Sequence, residues 1–354
     1  MIDTIVQIAP DRIEQLTMTN ADTTFLLVET GQKVEANSIE QHIGGGAVNA
    51  AVSMARQGAT AHCLIKLGSD IQAQHVLERL RDEAVATDFV VHTDEAATGA
   101  SVLVSSHERN AAVFTARGAN TLLKESDLPD EAFKRDLVYV SGLSNSSADQ
   151  YPLILQKARA AGAYVASNPG IRQLSSRGQP FFQNLPNIDL LSANRSEAAQ
   201  MVPGLIGRSC EAKGMIPTDV DDPQSLMLRG LEAGGFQMDF SAYVKAVTEA
   251  GVKVVLVTDG ERGAYAATAE KIVHCSTLPV EVAGTVGAGD AFASTFSFLS
   301  ASGYDPETAL RGASFNSTSV IESIDTQSGL LTKAMIDQKL AQTSPQPTLT
   351  TWQL

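Results

Sequence analysis

Gly284-Thr285-Val286-Gly287-Ala288-Gly289-Asp290-Ala291-Phe292 is the stretch on which the reading of this chain turns. Val280 and Val282 ahead of it alternate as a strand does, and the small residues of 291–299 behind it read as a helix. A strand, a glycine turn and a helix form the repeating unit of parallel α/β sheets. Gly287 and Gly289 allow a tight turn and leave three successive backbone N–H groups uncovered at a helix start, where the dipole also favours negative charge. The turn is therefore an anion cradle. A carboxylate beside it repels phosphate, so Asp290 has a purpose there only if it takes a proton from a nucleophile that attacks the phosphate. A hydroxyl acceptor supplies that proton. Taken alone, the turn reads equally well as a glycine-rich corner whose Asp caps the helix.

Outward from this stretch, short β-branched runs alternate with helical patterns. The runs are Ala61-His62-Cys63-Leu64-Ile65, Asp136-Leu137-Val138-Tyr139-Val140, Ala163-Tyr164-Val165-Ala166 and Val252-Lys253-Val254-Val255-Leu256-Val257. Helical stripes fall at 48–57, 72–83, 149–161, 240–250 and 290–301. The pattern predicts a three-layer, doubly wound α/β fold with a mostly parallel sheet. Residues 24–43 and 100–116 alternate like strands with no helix between them, which suits β-ribbons forming a small lid. Residues 204–237, with Pro217 and Pro223, read as an excursion carrying a short helix near 224–233. Residues 1–342 thus form a single domain, and 343–354, with Pro345 and Pro347, an extended or frayed tail.

The formal net charge of −14 argues against a nucleic-acid partner, which needs clustered Lys and Arg. Cys63, Cys210 and Cys275 are widely spaced, without the pairing of ligands that zinc requires. No apolar run approaches the roughly 20 residues of a membrane span, and no basic-then-apolar leader is evident. The expectation is a cytoplasmic protein without a membrane partner.

A second glycine segment, Gly44-Gly45-Gly46-Ala47-Val48-Asn49, opens another helix. Its glycines let a ligand approach the backbone, and Asn49 offers donor and acceptor to a hydroxyl; packing of a loop against the sheet is the structural alternative.

With both segments in this order the chain resembles the ribokinase-like (PfkB) carbohydrate kinase family, over about residues 31–337. Gly44, Gly45 and Asn49 match the family's first signature, and Thr285, Gly287, Ala288, Gly289 and Asp290 its second, more specific one. Gly68-Ser69-Asp70, Thr98-Gly99 and Gly118-Ala119-Asn120 are similar to its intervening turns. The resemblance implies ATP-dependent phosphorylation of a hydroxyl on a sugar, sugar acid or nucleoside. Asp290 is then the base and the backbone of Gly287, Ala288 and Gly289 the anion hole. Asn194-Arg195-Ser196-Glu197 matches the family's Asn-x-x-Glu, which implies Asn194 near the nucleotide phosphates and Glu197 near the water shell of Mg²⁺. As a bare tetrapeptide it reads equally as a capping box. Thr258, Gly260 and Gly263 fall in a turn that the family sets beside the nucleotide, with an ordinary hairpin turn as the alternative. Asn316 falls on a helix that the family lays along the adenine, with a surface or core Asn as the alternative. The family's early substrate-binding Asp corresponds to Asp11 or Asp22.

The chain departs from the family at Gly284, where relatives carry an Asp that helps hold a monovalent cation, so potassium dependence is expected to be weak or absent. Three readings compete: a sugar or nucleoside kinase, a catalytically silent sugar- or nucleotide-binding regulator, and a dinucleotide-dependent oxidoreductase. The last is disfavoured because no GxGxxG follows the first strand. Projecting ribbons with open edges predict a homodimer.

Overall fold

The computed structural model describes residues 1–9, 12–18, 23–27, 31, 33–105, 111–206, 213–217, 220, 222–342 and 345–354. The chain starts in strand β1 (Ile2–Gln7), forms a hairpin of β2 (Glu14–Met18) and β3 (Thr23–Leu27), and returns in β4 (Ser38–Ile43). Helix α1 (Gly46–Arg56) follows. Next come β5 (Lys66–Gly68), α2 (Ile71–Asp82) and β6 (Val91–Thr93), a small parallel βαβ unit. The Asp70 carboxylate caps α2 through the Ala73 N–H and accepts from the Thr98 N–H and hydroxyl, which fixes the turn after β5. A hairpin of β7 (Ala100–Ser105) and β8 (Ala111–Ala116) completes a four-stranded sheet of order β4-β1-β7-β8. Both predicted ribbons contribute to this sheet, which also recruits β1 between them.

The body of the molecule begins with β9 (Leu137–Ser141), α3 (Tyr151–Ala160) and β10 (Tyr164–Asn168). The short helices α4 (Ile171–Ser176) and α5 (Gly178–Gln183) lead into β11 (Leu190–Asn194) and α6 (Arg195–Ile206). After α7 (Leu226–Arg229), the hairpin β12 (Leu231–Ala233) and β13 (Phe236–Met238) precedes α8 (Phe240–Glu249). Strands β14 (Val254–Thr258), β15 (Ala264–Ala267) and β16 (Lys271–Cys275) are followed by α9 (Ala288–Ala301), α10 (Pro306–Ile321), α11 (Lys333–Ala341) and β17 (Leu349–Gln353).

Seven strands form the main sheet, in the order β17-β16-β15-β14-β11-β10-β9. β9, β10, β11 and β14 run parallel; β15, β16 and β17 extend the sheet antiparallel. Alternate residues face opposite layers. Leu191 and Val255 join Tyr151, Phe181, Phe240 and Tyr243 on one face, while Leu190 and Leu256 join Phe292, Phe296 and Leu310 on the other. Phe296 is fully buried, so its truncation to Ala would cost about 3–5 kcal/mol.

Four local expectations are corrected. Residues 61–65 form an isolated bridge from His62 to Ala86 rather than a strand, and the strand is displaced to β5. Residues 276–287 run as loop, without a strand at Val280 and Val282. Within 224–233 the helix covers only α7, because Gly230 at φ 66° ends it and the chain turns into β12. The tail is an ordered edge strand, β17, paired with β16 around the buried Trp352.

Candidate active site

Helix α9 begins at Ala288, with Gly287 before it at φ 85°. That backbone favours glycine, and a Cβ here would stand 2.6 Å from the Cβ of Thr326. No side chain caps the helix, and the N–H groups of Gly287, Ala288 and Gly289 meet no acceptor among the described residues. Gly289 has open space where a side chain would stand. Such a helix start is prepared for an anion. Thr285 is exposed ahead of the turn. At Gly284 an added Cβ would lie 3.0 Å from the carbonyl oxygen of Ser323 and 3.2 Å from that of Ile324.

Asp290 lies in the first turn of α9, and Asn49 Nδ2 donates to its Oδ2 at 2.8 Å. Asn49 is itself buried, and its Oδ1 accepts from Thr326 Oγ1 and Gln327 Nε2, both at 3.0 Å. The Oδ1 of Asn49 is thus held by Thr326 and Gln327, while one N–H of its amide grips Asp290 and the other is left to donate to a substrate hydroxyl. The loop behind it is anchored in turn. Arg56 donates to the carbonyls of Gln327 and Leu330 at 2.8 Å, and its fork closes on Glu83. Burial pushes the Asp290 carboxyl above the ordinary range; the Asn49 bond offsets part of this, and the negative charge of Asp3 adds to it.

Asp3 was not among the acids singled out from the sequence. It is buried on β1, accepts from Ser101 Oγ and stands against Gly44 so closely that a Cβ on that glycine would overlap the carboxylate. Its signal is a single acid within an apolar strand, Ile2-Asp3-Thr4-Ile5-Val6. Gly45, at φ 100°, opens α1 without a side-chain cap, and an added Cβ on Gly46 would be 3.3 Å from both Asp290 Oδ1 and Ser141 Cβ. Gly44, Gly45, Asp3 and Asp290 therefore converge. Asp11 and Asp22 lie outside the described residues.

Ser141, Asn168, Asn194 and Thr258 end the four parallel strands side by side, the edge at which open α/β sheets bind ligands. The Asn194 N–H donates to Glu197 Oε2 and the Glu197 N–H to Asn194 Oδ1, both at 2.9 Å, so this pair does form a capping box. Burial holds the Glu197 carboxyl above its usual range; the Asn194 N–H lowers it, and the charge of Asp290 raises it further. Gly260 and Gly263, at φ 58° and 90°, fold the chain back after Thr258, with the Asp259 N–H donating to the Gly263 carbonyl at 2.8 Å. The buried Asp259 pairs with Arg195 at 3.2 Å, a strut between this turn and Asn194 that the sequence reading missed.

Asn316 is corrected. It is fully buried, donates to Thr295 Oγ1 at 2.7 Å and to Ser53 Oγ at 3.3 Å, and accepts from the Leu331 N–H at 2.7 Å. A core hydrogen-bond node between α1, α9 and α10 leaves it nothing to offer a nucleotide.

The profile of the pfkB family carbohydrate kinases matches residues 16–333. The chain is 29% identical to mouse ribokinase over 314 residues, 86% of each chain. In structure it resembles the Thermotoga maritima ribokinase, with a TM-score of 0.71, 16% identity and 96% of each chain covered. It also resembles the Arabidopsis thaliana ribokinase complexed with ribose and ATP, at 0.69, 19% identity and coverage of 97% and 96%. The chain belongs to the pfkB family and is an ATP-dependent carbohydrate kinase.

Proposed function

We propose that this enzyme phosphorylates a hydroxyl of a sugar or sugar-like small molecule, with Asp290 as general base. The observation that carries this reading is the side-by-side placement of three uncapped N–H groups and a half-buried carboxylate gripped by Asn49. The acceptor hydroxyl gives its proton to Asp290 as its oxygen attacks the terminal phosphorus of ATP in line. The backbone of Gly287, Ala288 and Gly289 receives the negative charge of the phosphoryl group in flight. Asp3 and the Gly44–Gly45 backbone orient the acceptor, and the turn after Thr258 borders the nucleotide.

No three His, Cys, Asp or Glu side chains converge as a metal cage among the described residues. Glu197, a carboxylate in the first turn of α6 at the ligand-binding edge of the sheet, fits Mg²⁺ held mainly by water and phosphate oxygens. That ion would neutralise phosphate charge.

The lid sheet also supports a homodimer. Ile39, Val102 and Phe114 share one face and are exposed, Phe114 by 65%, and a second copy would cover this patch. Coupled ADP release across a panel of sugars and nucleosides tests the kinase reading. Release that depends on a sugar acceptor supports it, and release with none of them overturns it.

A further inference from the structure

Arg117, at the end of β8, and Arg172, in α4, line one pocket of about 410 Å³. Among the described residues no carboxylate acts on the Arg117 guanidinium, whose charged neighbour is Arg172. This is unexpected in a chain with 40 acidic side chains against 26 Lys and Arg. Burial and then the neighbouring charge of Arg172 hold Arg117 below the usual arginine range. Glu95, the acid on the rim, is already paired with Lys124 at 2.7 Å. Thr115 and Asn145 add neutral polar groups.

The pocket is joined to the active site. Arg117 also lines the larger cleft of about 980 Å³ that includes Gly44, Gly45, Gly46 and Ser141. Gly46 and Ser141 stand against each other beside Asp290, and Gly142, next along, packs on Gly170 two residues before Arg172. A molecule with its reactive hydroxyl at Asp290 can therefore extend toward both guanidinium groups.

We infer that the acceptor is an anionic sugar, whose carboxylate or phosphate is bound between Arg117 and Arg172 at the end away from the hydroxyl that is phosphorylated. This deepens the kinase reading and rests on it. Two planar forks match the oxygens of either anion and remove the mutual repulsion of the cations. An acid and a phosphate ester share this chemistry, and the substrates tested separate them.

The test compares wild type with the double variant Arg117→Ala/Arg172→Ala. Substrates are neutral hexoses and pentoses, six-carbon aldonic and ketoaldonic acids, and hexose 6-phosphates, assayed by ADP release. The expected result is that one anionic class exceeds its neutral counterpart in kcat/KM by about 100-fold in wild type, with the preference lost mainly through KM in the double variant. A wild type that prefers a neutral sugar, or a double variant that keeps the anionic preference, overturns the inference while leaving the kinase reading intact. Calorimetric binding of the same acids and phosphates needs no turnover. Binding weakened at least tenfold in the double variant supports the arginine site even if no acceptor is phosphorylated, and equal binding overturns it.

Discussion

The two glycine segments of this site have nearly the same backbone and opposite duties. Each opens a helix after a glycine at positive φ, Gly45 at 100° and Gly287 at 85°, and neither helix has a side-chain cap. At α9 the open N–H groups are followed by a carboxylate; at α1 the glycines are followed by Asn49, which spends its amide on that carboxylate. One turn supplies the reacting groups and the other holds them. Local conformation does not distinguish them. What does is where the next polar side chain points and what lies behind it, here Thr326 and Gln327.

The comparison can be broken most sharply at Asp290. Asp290→Asn should lower kcat about 1,000-fold, the scale of a lost general base, while calorimetry shows nucleotide still bound. Turnover at the wild-type rate would falsify the assignment. Next in size is Gly287→Ala, where a left-handed residue costs about 1–2 kcal/mol and the new Cβ displaces Thr326. Activity and melting temperature should fall together, whereas Gly289→Ala, with open space around it, should lose activity without losing stability.

Asn49→Ala sharpens the division of labour. Losing one hydrogen bond to a charged group should cost about tenfold in kcat. Because that bond lowers the Asp290 pKa, its removal raises it. A base works ionised, so the acid limb of kcat/KM should move to higher pH, and an unmoved limb would mean that Asn49 only packs. The smallest effect concerns Gly284: replacing sodium by potassium should leave the rate unchanged, and clear activation would show a cation site built without an Asp at this position.

Helices were the legible part of the fold, because stripes such as 72–83 and 240–250 carry the helical period, and the first is also capped by Asp70. The strand expected at 61–65 does not form because β-branched composition does not name a partner, and there the chain makes an isolated bridge at His62. Asp290 and its glycines were legible since their chemistry is local. Asn316 reads as a ligand contact because an amide looks alike to a substrate and to a buried hydroxyl; only long-range packing shows that Thr295, Ser53 and the Leu331 N–H already hold it. Asp3 was overlooked for the same reason, since its neighbours Gly44 and Ser101 are far along the chain.

The half-buried carboxylate of Asp290 also bears on how thermally robust this enzyme can be. Its pKa in the folded protein lies above that of the open chain, so between those values stability falls as pH rises, and above the folded pKa the penalty is in full force. The ionised acid that serves the reaction is thus a load on the fold, and selection for heat resistance alone would discard it. Asp290→Asn, which keeps an acceptor for Asn49 and sheds the charge, should melt at a higher temperature than the active enzyme near neutral pH, with the gap closing in acid.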